Sequence, residues 1–328
     1  MQTIHLNETF REPTPCVATI GMFDGVHRGH RFVIDCLRQE AARLGLPSCV
    51  ITFDRHPRLT LSTNHSPLAN HQLSTLDEKL VLLSQTGIDL CVVLPFTQQM
   101  AALPAYDFMQ QVLKEQLKVQ VLLTGYDNHF GHRGEKAEGF DDYQRYGREL
   151  GIEVKALEPL ATHQSPHTTH YSSSLVRRLL IEGRIAEANE ALGYPYFVLG
   201  TVVRGEHIGT NIGFPTANLQ PDDANKLIPA NGVYAVRVRL EDSLEQKHGM
   251  TNIGRRPTFS PTTIQQPPLT IETHILRHDG VLYGQRMMVS FIHRMRDEQS
   301  FEGPEALVAQ LRQDAATAEE LLNQDIEE

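Results

Sequence analysis

The side chains best suited to chemistry fall into separate groups along the chain. His27 and His30 follow a short apolar run at 17–20 and a turn that contains Gly21, Phe23, Asp24, Gly25 and Gly29. Two imidazoles at that spacing donate hydrogen bonds to one anion. A strand ending at the mouth of a helix adds free backbone N–H groups and the positive end of a helix dipole. Such a site serves transfer at a phosphate, of the adenylyl type. Ser172, Ser173 and Ser174, with Arg177 one turn later, form a grip suited to pyrophosphate. Serine is also a preferred helix cap, and capping alone accounts for one or two of them. The last group is Gly209, Gly213, Pro215, Thr216 and Asn218, joined from farther along by Glu272 and His274. Glycines let a backbone approach a ligand, and proline stiffens the segment after it. Thr216 and Asn218 alternate on an extended chain, so both oxygens face one side. Hydroxyl and amide oxygens suit Mg2+ bridging nucleotide phosphates; a β-turn with a capping threonine is the plain alternative. No P-loop lysine accompanies these glycines, so general motif rules alone assign no kinase.

Alternating strands and helices must position the first groups. Apolar runs at 17–20, 48–53, 88–96, 119–125 and 152–158 read as strands, with helices near 29–44, 76–86, 104–117 and 138–150 between them. On the first helix Phe32, Val33, Cys36, Leu37, Ala41 and Leu44 form the expected apolar face. Repeated βα units imply an α/β domain with a doubly wound parallel sheet, whose ligands gather beyond the carboxyl ends of the strands. The turns after 20, 53 and 124 all lie there. A helical pair at 175–193 follows, and then the periodicity changes. Strands at 196–203, 232–240, 269–276 and 287–293, with a weaker one at 249–253, predict an antiparallel β-barrel, closed by a C-terminal helix from Pro304 to about Asn323.

The totals restrict the functions available. A chain of 328 residues has room for two domains. Net charge of −10 argues against nucleic acid as a partner. No apolar run is long enough for a membrane span, and the N-terminus lacks a signal-peptide pattern, so a cytoplasmic protein is expected. Cys16, Cys36, Cys49 and Cys91 are widely spaced, as reduced core residues are. His163, His167 and His170 invite a metal, but Pro166 among them and the lack of a carboxylate or cysteine favour a polar loop.

The turn at 21–30 resembles the GxFDGVHxGH branch of the nucleotidylyltransferase signature. GFPTAN at 213–218 resembles the hallmark of riboflavin kinases, and the run 252–259 resembles their NIGxRPTF loop. The segment 125–131 is similar to GxDFxFG, with Asn128 and His129 departing from it. The segment 172–177 is similar to SSTxIR, and Thr210 and Asn211 replace a commonly basic pair. On these motifs the chain resembles the bacterial bifunctional riboflavin kinase/FAD synthetase family. The resemblance implies a nucleotidylyltransferase domain at 1–185 and a riboflavin kinase barrel at 186–328. It implies riboflavin, FMN and ATP as substrates, Mg2+ as cofactor, and no nucleic acid, membrane or protein partner. By residue, it implies nucleotide binding at Gly21, Phe23, Asp24, Gly29, Ser172, Ser173, Ser174, Arg177, Gly213 and Pro215. Flavin binding falls on Asp127, Phe130 and Arg256, and metal on Thr216 and Asn218. Glu272 becomes the base for the ribityl hydroxyl, with His27 and His30 stabilising charge at an α-phosphate. A nucleotidylyltransferase with another acceptor and a flavin-binding regulator with inactive sites are the alternatives. GFPTAN argues against the first, and the intact His27, His30 and Glu272 against the second.

Overall fold

The computed structural model describes residues 1–6, 13–55, 71–125, 130, 138–157, 171–205, 209, 212–241, 243, 245–255, 269–278 and 280–324. Contacts group the chain into two units, Met1–Ser172 and Ser173–Glu328.

The first unit is built on a parallel sheet. Its strands are β1 (Gln2–His5), β2 (Cys16–Ile20), β3 (Ser48–Phe53), β4 (Leu90–Leu94), β5 (Val119–Thr124) and β6 (Glu153–Ala156), in the order β1-β4-β3-β2-β5-β6. The chain winds outward from β2 through β3 to β4 on one side and through β5 to β6 on the other. The direction therefore reverses between β2 and β5, and that is where an open α/β sheet places its ligand crevice. Strand β2 is buried along its whole length, as a strand covered on both faces must be. The edge strand β1, parallel to β4, is absent from the sequence reading because four residues, half of them exposed, carry no period.

Helix α1 (Arg28–Leu44) ends at Gly45, whose φ of 66° and N–H bonds back to Ala41 and Ala42 make a left-handed cap. Its buried stripe is Ile34, Leu37 and Ala41, whereas Leu44 is exposed. The expected face is thus corrected: the 34/37/41 spacing turns toward the sheet, and Phe32 and Val33 are only half-buried. Helix α2 (Leu76–Ser84) begins at Thr75 with a reciprocal capping box to Glu78. A short helix α3 (Gln98–Ala102) precedes α4 (Ala105–Phe108), which continues as π-helix over Met109–Gln116. Helix α5 (Phe140–Leu150) packs beside β6.

In the second unit, α6 (Ser173–Ile181) and α7 (Ile185–Leu192) are held by the barrel. The Ala230 N–H donates to the Leu180 carbonyl at 3.0 Å, and Asn189 Nδ2 donates to the Phe291 carbonyl at 2.9 Å. The helical pair therefore groups with the barrel, and the division falls at 172/173, whereas the sequence reading divided the chain at 185/186. Strands β7 (Phe197–Val203), β8 (Ala217–Pro221), β9 (Gly232–Leu240), β10 (Gln246–Arg255), β11 (Leu269–Ile275) and β12 (Arg286–Arg296) close in the order β10-β11-β8-β7-β12-β9, all antiparallel. Closure leaves no unpaired edge. Strand β8 is the one the sequence reading lacked; it is short, and Pro221 stands at its end. Helix α8 (Pro304–Gln324) packs Ala318 and Leu322 against Ala235, Met250 and Ile292.

Candidate active sites

The turn after β2 is strained. Phe23 and Val26 have φ of 48° and 35°, and Gly25 has 78°. A β-branched residue at positive φ is disfavoured, and such conformations cluster where structure is spent on a site. Asp24 holds the turn in place. Its carboxylate is buried and accepts from the Leu73 N–H at 2.9 Å and the Ser74 N–H at 3.0 Å, while Ser74 Oγ accepts from the Gly25 N–H at 3.0 Å. The turn is thereby fastened to the segment that caps α2.

His27 is the N-cap of α1, and its Nδ1 accepts from the His30 N–H at 3.3 Å. An imidazole nitrogen that accepts carries no proton, so the ring proton sits on Nε2, which is the donor His27 can offer a phosphate. The His30 ring stacks on His27 with centroids 3.7 Å apart and leans on Phe23 at 5.1 Å. Among the described residues its buried Nδ1 has no hydrogen-bond partner. Burial, then the neighbouring His27 and Lys79, push its pKa well below the usual imidazole range, so the ring is neutral at neutral pH. Gly29 is required by a close approach: a Cβ there would stand 2.9 Å from the Tyr171 carbonyl oxygen. Tyr171 thus lies against the mouth of α1, with Arg28 over its ring at 5.8 Å. Gly21 sits beside the Phe23 ring, which a Cβ would approach to 3.2 Å.

Other expected residues land differently. Phe130 is in the core, stacked on Tyr143 at 4.3 Å, with its backbone N–H and carbonyl both bonded to the Tyr143 hydroxyl. Asp127, Arg256, Asn128, His129 and the three histidines at 163, 167 and 170 lie outside the described residues. Ser173, Ser174 and Arg177 are on α6 in the second unit.

In the barrel, ladder register sets the chemistry. Glu272 on β11 faces Asn218 on β8 and Asn252 on β10, so the three side chains form a row on one side of the sheet. Thr216 and Glu272 line one cavity of about 270 Å3, whose far wall includes Leu307 and Leu311 of α8. Pro215 and Thr216 also line a second cavity, about 330 Å3, together with Val202, Ala217, His278 and Tyr283. Thr216 belongs to both. Gly209 lies close against this segment: the Phe214 N–H donates to its carbonyl at 2.8 Å, and a Cβ there would be 2.2 Å from the Phe214 oxygen. Gly213 has φ of 82°. His274 lines the first cavity with Glu272, as two residues of one strand face should, and its Nδ1 donates to the Pro215 carbonyl at 2.8 Å.

Residues 9–171 match the FAD synthetase family and residues 192–322 the riboflavin kinase family. The chain is similar to bifunctional riboflavin kinase/FMN adenylyltransferases from Listeria monocytogenes (36% identical, covering 96% of both chains) and from Escherichia coli (35%, covering 93% of this chain and 92% of that one). The chain belongs to the bifunctional riboflavin kinase/FMN adenylyltransferase family. A relative from Bacillus subtilis is 31% identical, with 97% of both chains covered. A crystal structure described as a macrolide-efflux protein from Streptococcus pneumoniae shares the fold over 97% of this chain and 98% of that one, with TM-score 0.83 and 28% identity. Among the described residues here, no helix is long and apolar enough to cross a membrane.

Within this family member, two polar residues escaped the sequence reading. Lys79 lies on the buried face of α2, and its Nζ bonds to the Met22 carbonyl (3.3 Å), Thr52 Oγ1 (3.0 Å) and the Phe53 carbonyl (2.8 Å). The signal was its spacing: Lys79 stands three and four residues before Leu82 and Leu83, on their stripe. Asp314 of α8, 4% exposed, takes a forked pair of bonds from Arg296 and so pins the helix that walls the first barrel cavity. The signal was again spacing: Asp314 stands three residues after Leu311 and four before Ala318, on the packed stripe of its helix.

Proposed function

We propose that the two sites divide the flavin chemistry of the family between them. Riboflavin is phosphorylated to FMN with ATP in the barrel, and FMN is adenylylated to FAD with a second ATP, releasing pyrophosphate, at the turn after β2. The observation that carries the barrel assignment is that Thr216 lines both cavities while Glu272 lines one. A phosphoryl group must cross from a nucleotide to an acceptor, and Thr216 stands where such compartments meet. The acceptor then lies on the Glu272 side, against the apolar residues of α8, and the triphosphate on the Pro215 side.

Glu272 takes the proton of the ribityl 5′-hydroxyl as that oxygen bonds to the γ-phosphorus and ADP leaves. Thr216 and Asn218 offer neutral oxygens beside the Glu272 carboxylate, a hard donor set that fits Mg2+ shared with phosphates. Bound there, the ion would neutralise charge on the transferred group. His274, through Pro215, fixes the backbone that carries Thr216.

At the first site the FMN phosphate oxygen attacks the α-phosphorus and the bond to pyrophosphate breaks. The nucleophile is already anionic, so no general base is needed. His27, donating from Nε2, and His30 stabilise charge at the α-phosphate, while Ser172, Ser173, Ser174 and Arg177 are assigned the pyrophosphate. Gly21, Phe23 and Gly29 shape the nucleotide cradle, with Asp24 keeping the turn in form. Asp127, Phe130 and Arg256 remain assigned to flavin. The proposed setting is the cytoplasm, which supplies ATP and keeps thiols such as Cys16, Cys49 and Cys91 reduced.

Product chromatography tests the division. His30→Ala is expected to lower FAD formation by roughly a hundredfold and spare FMN formation, and Glu272→Ala to do the reverse. If each substitution removed both activities from a folded chain, the two-site assignment would fail.

A further inference from the structure

The least expected group in the first unit is a lysine in its interior. Lys79 is 5% exposed, yet its ammonium has a partner for each of its three N–H bonds. The partners come from two different strand ends. Met22 follows β2 and opens the strained turn; Thr52 and Phe53 finish β3. Thr52 Oγ1 also donates to the Met22 carbonyl at 3.2 Å, so ammonium, hydroxyl and carbonyl make one connected cluster. Neighbouring parallel strands hold one another only as far as their ladder runs, and here it ends at Ile20 and Ile51. Beyond that point the β2 chain must leave the sheet and re-enter as α1. Lys79 supplies the tie where the ladder has stopped.

We propose that Lys79 is a positioning residue of the adenylyl-transfer site, its ammonium tying the exit of β2 to the exit of β3 and thereby setting the turn that presents His27 and His30. This rests on the proposed role of that turn in adenylyl transfer, and adds to it a residue outside every motif of the sequence. Two further observations agree. Helix α2 is itself fixed to the same turn, because Asp24 accepts from Leu73 and Ser74 just before its capping box, so Lys79 is delivered by an element already locked to its target. Lys79 also lines a small cleft at the strand ends with Met22, Asp24, Asp54 and Arg55.

The electrostatics have a definite sign. The groups around the ammonium are Asp24 on the turn, Asp54 and Arg55 after β3, Cys91 on β4, and His30 on α1. Burial draws the Lys79 pKa down to about 8, against the pull of Asp24, Cys91 and Asp54, so the group remains largely charged at neutral pH. That charge in turn disfavours a proton on His30. Removing it should make His30 easier to protonate.

The test uses the full chain, whose kinase activity serves as an internal control. Lys79→Met removes the charge and the tie at similar volume; Lys79→Gln removes the charge but keeps a donor. In Lys79→Met, FAD formation from FMN and ATP is expected to fall about tenfold to a hundredfold, as for a displaced reacting geometry. Riboflavin phosphorylation should stay within about twofold. Lys79→Gln should recover part of the lost rate, and the His30 titration, followed by NMR of labelled histidine, should move to higher pH. FAD formation within about twofold of the parent in Lys79→Met overturns the proposal. So does a His30 midpoint that stays in place in Lys79→Gln. If Lys79→Met loses both activities, Lys79→Gln decides by the same two readings. Should His30→Ala leave FAD formation intact, the reading of the turn itself fails, a result distinct from failure of the lysine's role.

Discussion

Glu272 and Asn218 stand directly opposite one another in the antiparallel ladder of β8 and β11, fifty-odd residues apart in the chain and side by side in the barrel. A carboxylate and an amide oxygen so placed form one hard-donor edge. Asn218→Ala should therefore raise the Mg2+ concentration needed for half-maximal riboflavin phosphorylation, with FAD formation from FMN unchanged. A Mg2+ titration of both activities reads this directly; an unaltered kinase titration counts against Asn218 as a ligand.

The neutral state of His30 has consequences for pH. Its pKa in the folded chain lies below the ordinary value of 6.5, burial being the main cause. The unfolded chain therefore binds the proton first as pH falls, and the first unit should lose stability below about pH 6.5. A triphosphate brings negative charge and raises that pKa, so ATP binding should take up a proton in the same window. Calorimetry in buffers of different ionisation enthalpy measures the uptake, and His30→Gln should reduce it. Equal heats in all buffers would contradict the expectation.

Asp24 is expected to matter for stability as well as for rate. Asp24→Ala removes the carboxylate that accepts from the Leu73 and Ser74 N–H groups, a loss of about 3 kcal/mol for bonds to a buried carboxylate. Urea unfolding of the full chain should show an earlier transition, and Asp24→Asn, which keeps one acceptor oxygen, should restore part of it.

Two glycines in one segment should respond differently. Gly209→Ala drives a Cβ to 2.2 Å from the Phe214 oxygen, so the backbone leading to Thr216 has to move. Gly213→Ala meets nothing within 4 Å and bears only the cost of positive φ, about 1 kcal/mol. The KM for ATP in riboflavin phosphorylation should rise sharply in the first variant and little in the second.

Several features were legible in the chain alone. The βα alternation predicted the parallel sheet, since burying a strand on both faces requires a continuous apolar run such as 16–20. The His27–His30 turn suited a phosphate by residue type and spacing, whereas GFPTAN pointed to a kinase only through its resemblance to the riboflavin kinase hallmark. A glycine just past a helix is the residue that accepts a left-handed cap, and Gly45, Gly151 and Gly193 do so after α1, α5 and α7.

The remainder was decided by contacts between residues far apart in the chain. The register that brings Asn218, Glu272 and Asn252 into one row comes from closure of the barrel, which no local pattern encodes. Phe130, which the family resemblance implies for flavin, is also packed as a core ring, because Tyr143 from the next helix offers it a stacking partner. Lys79 belongs to none of the sequence motifs. Only the packing of its helix against the strand ends makes it an interior ammonium, since burying a charge is tolerated where three acceptors from separate elements converge on it.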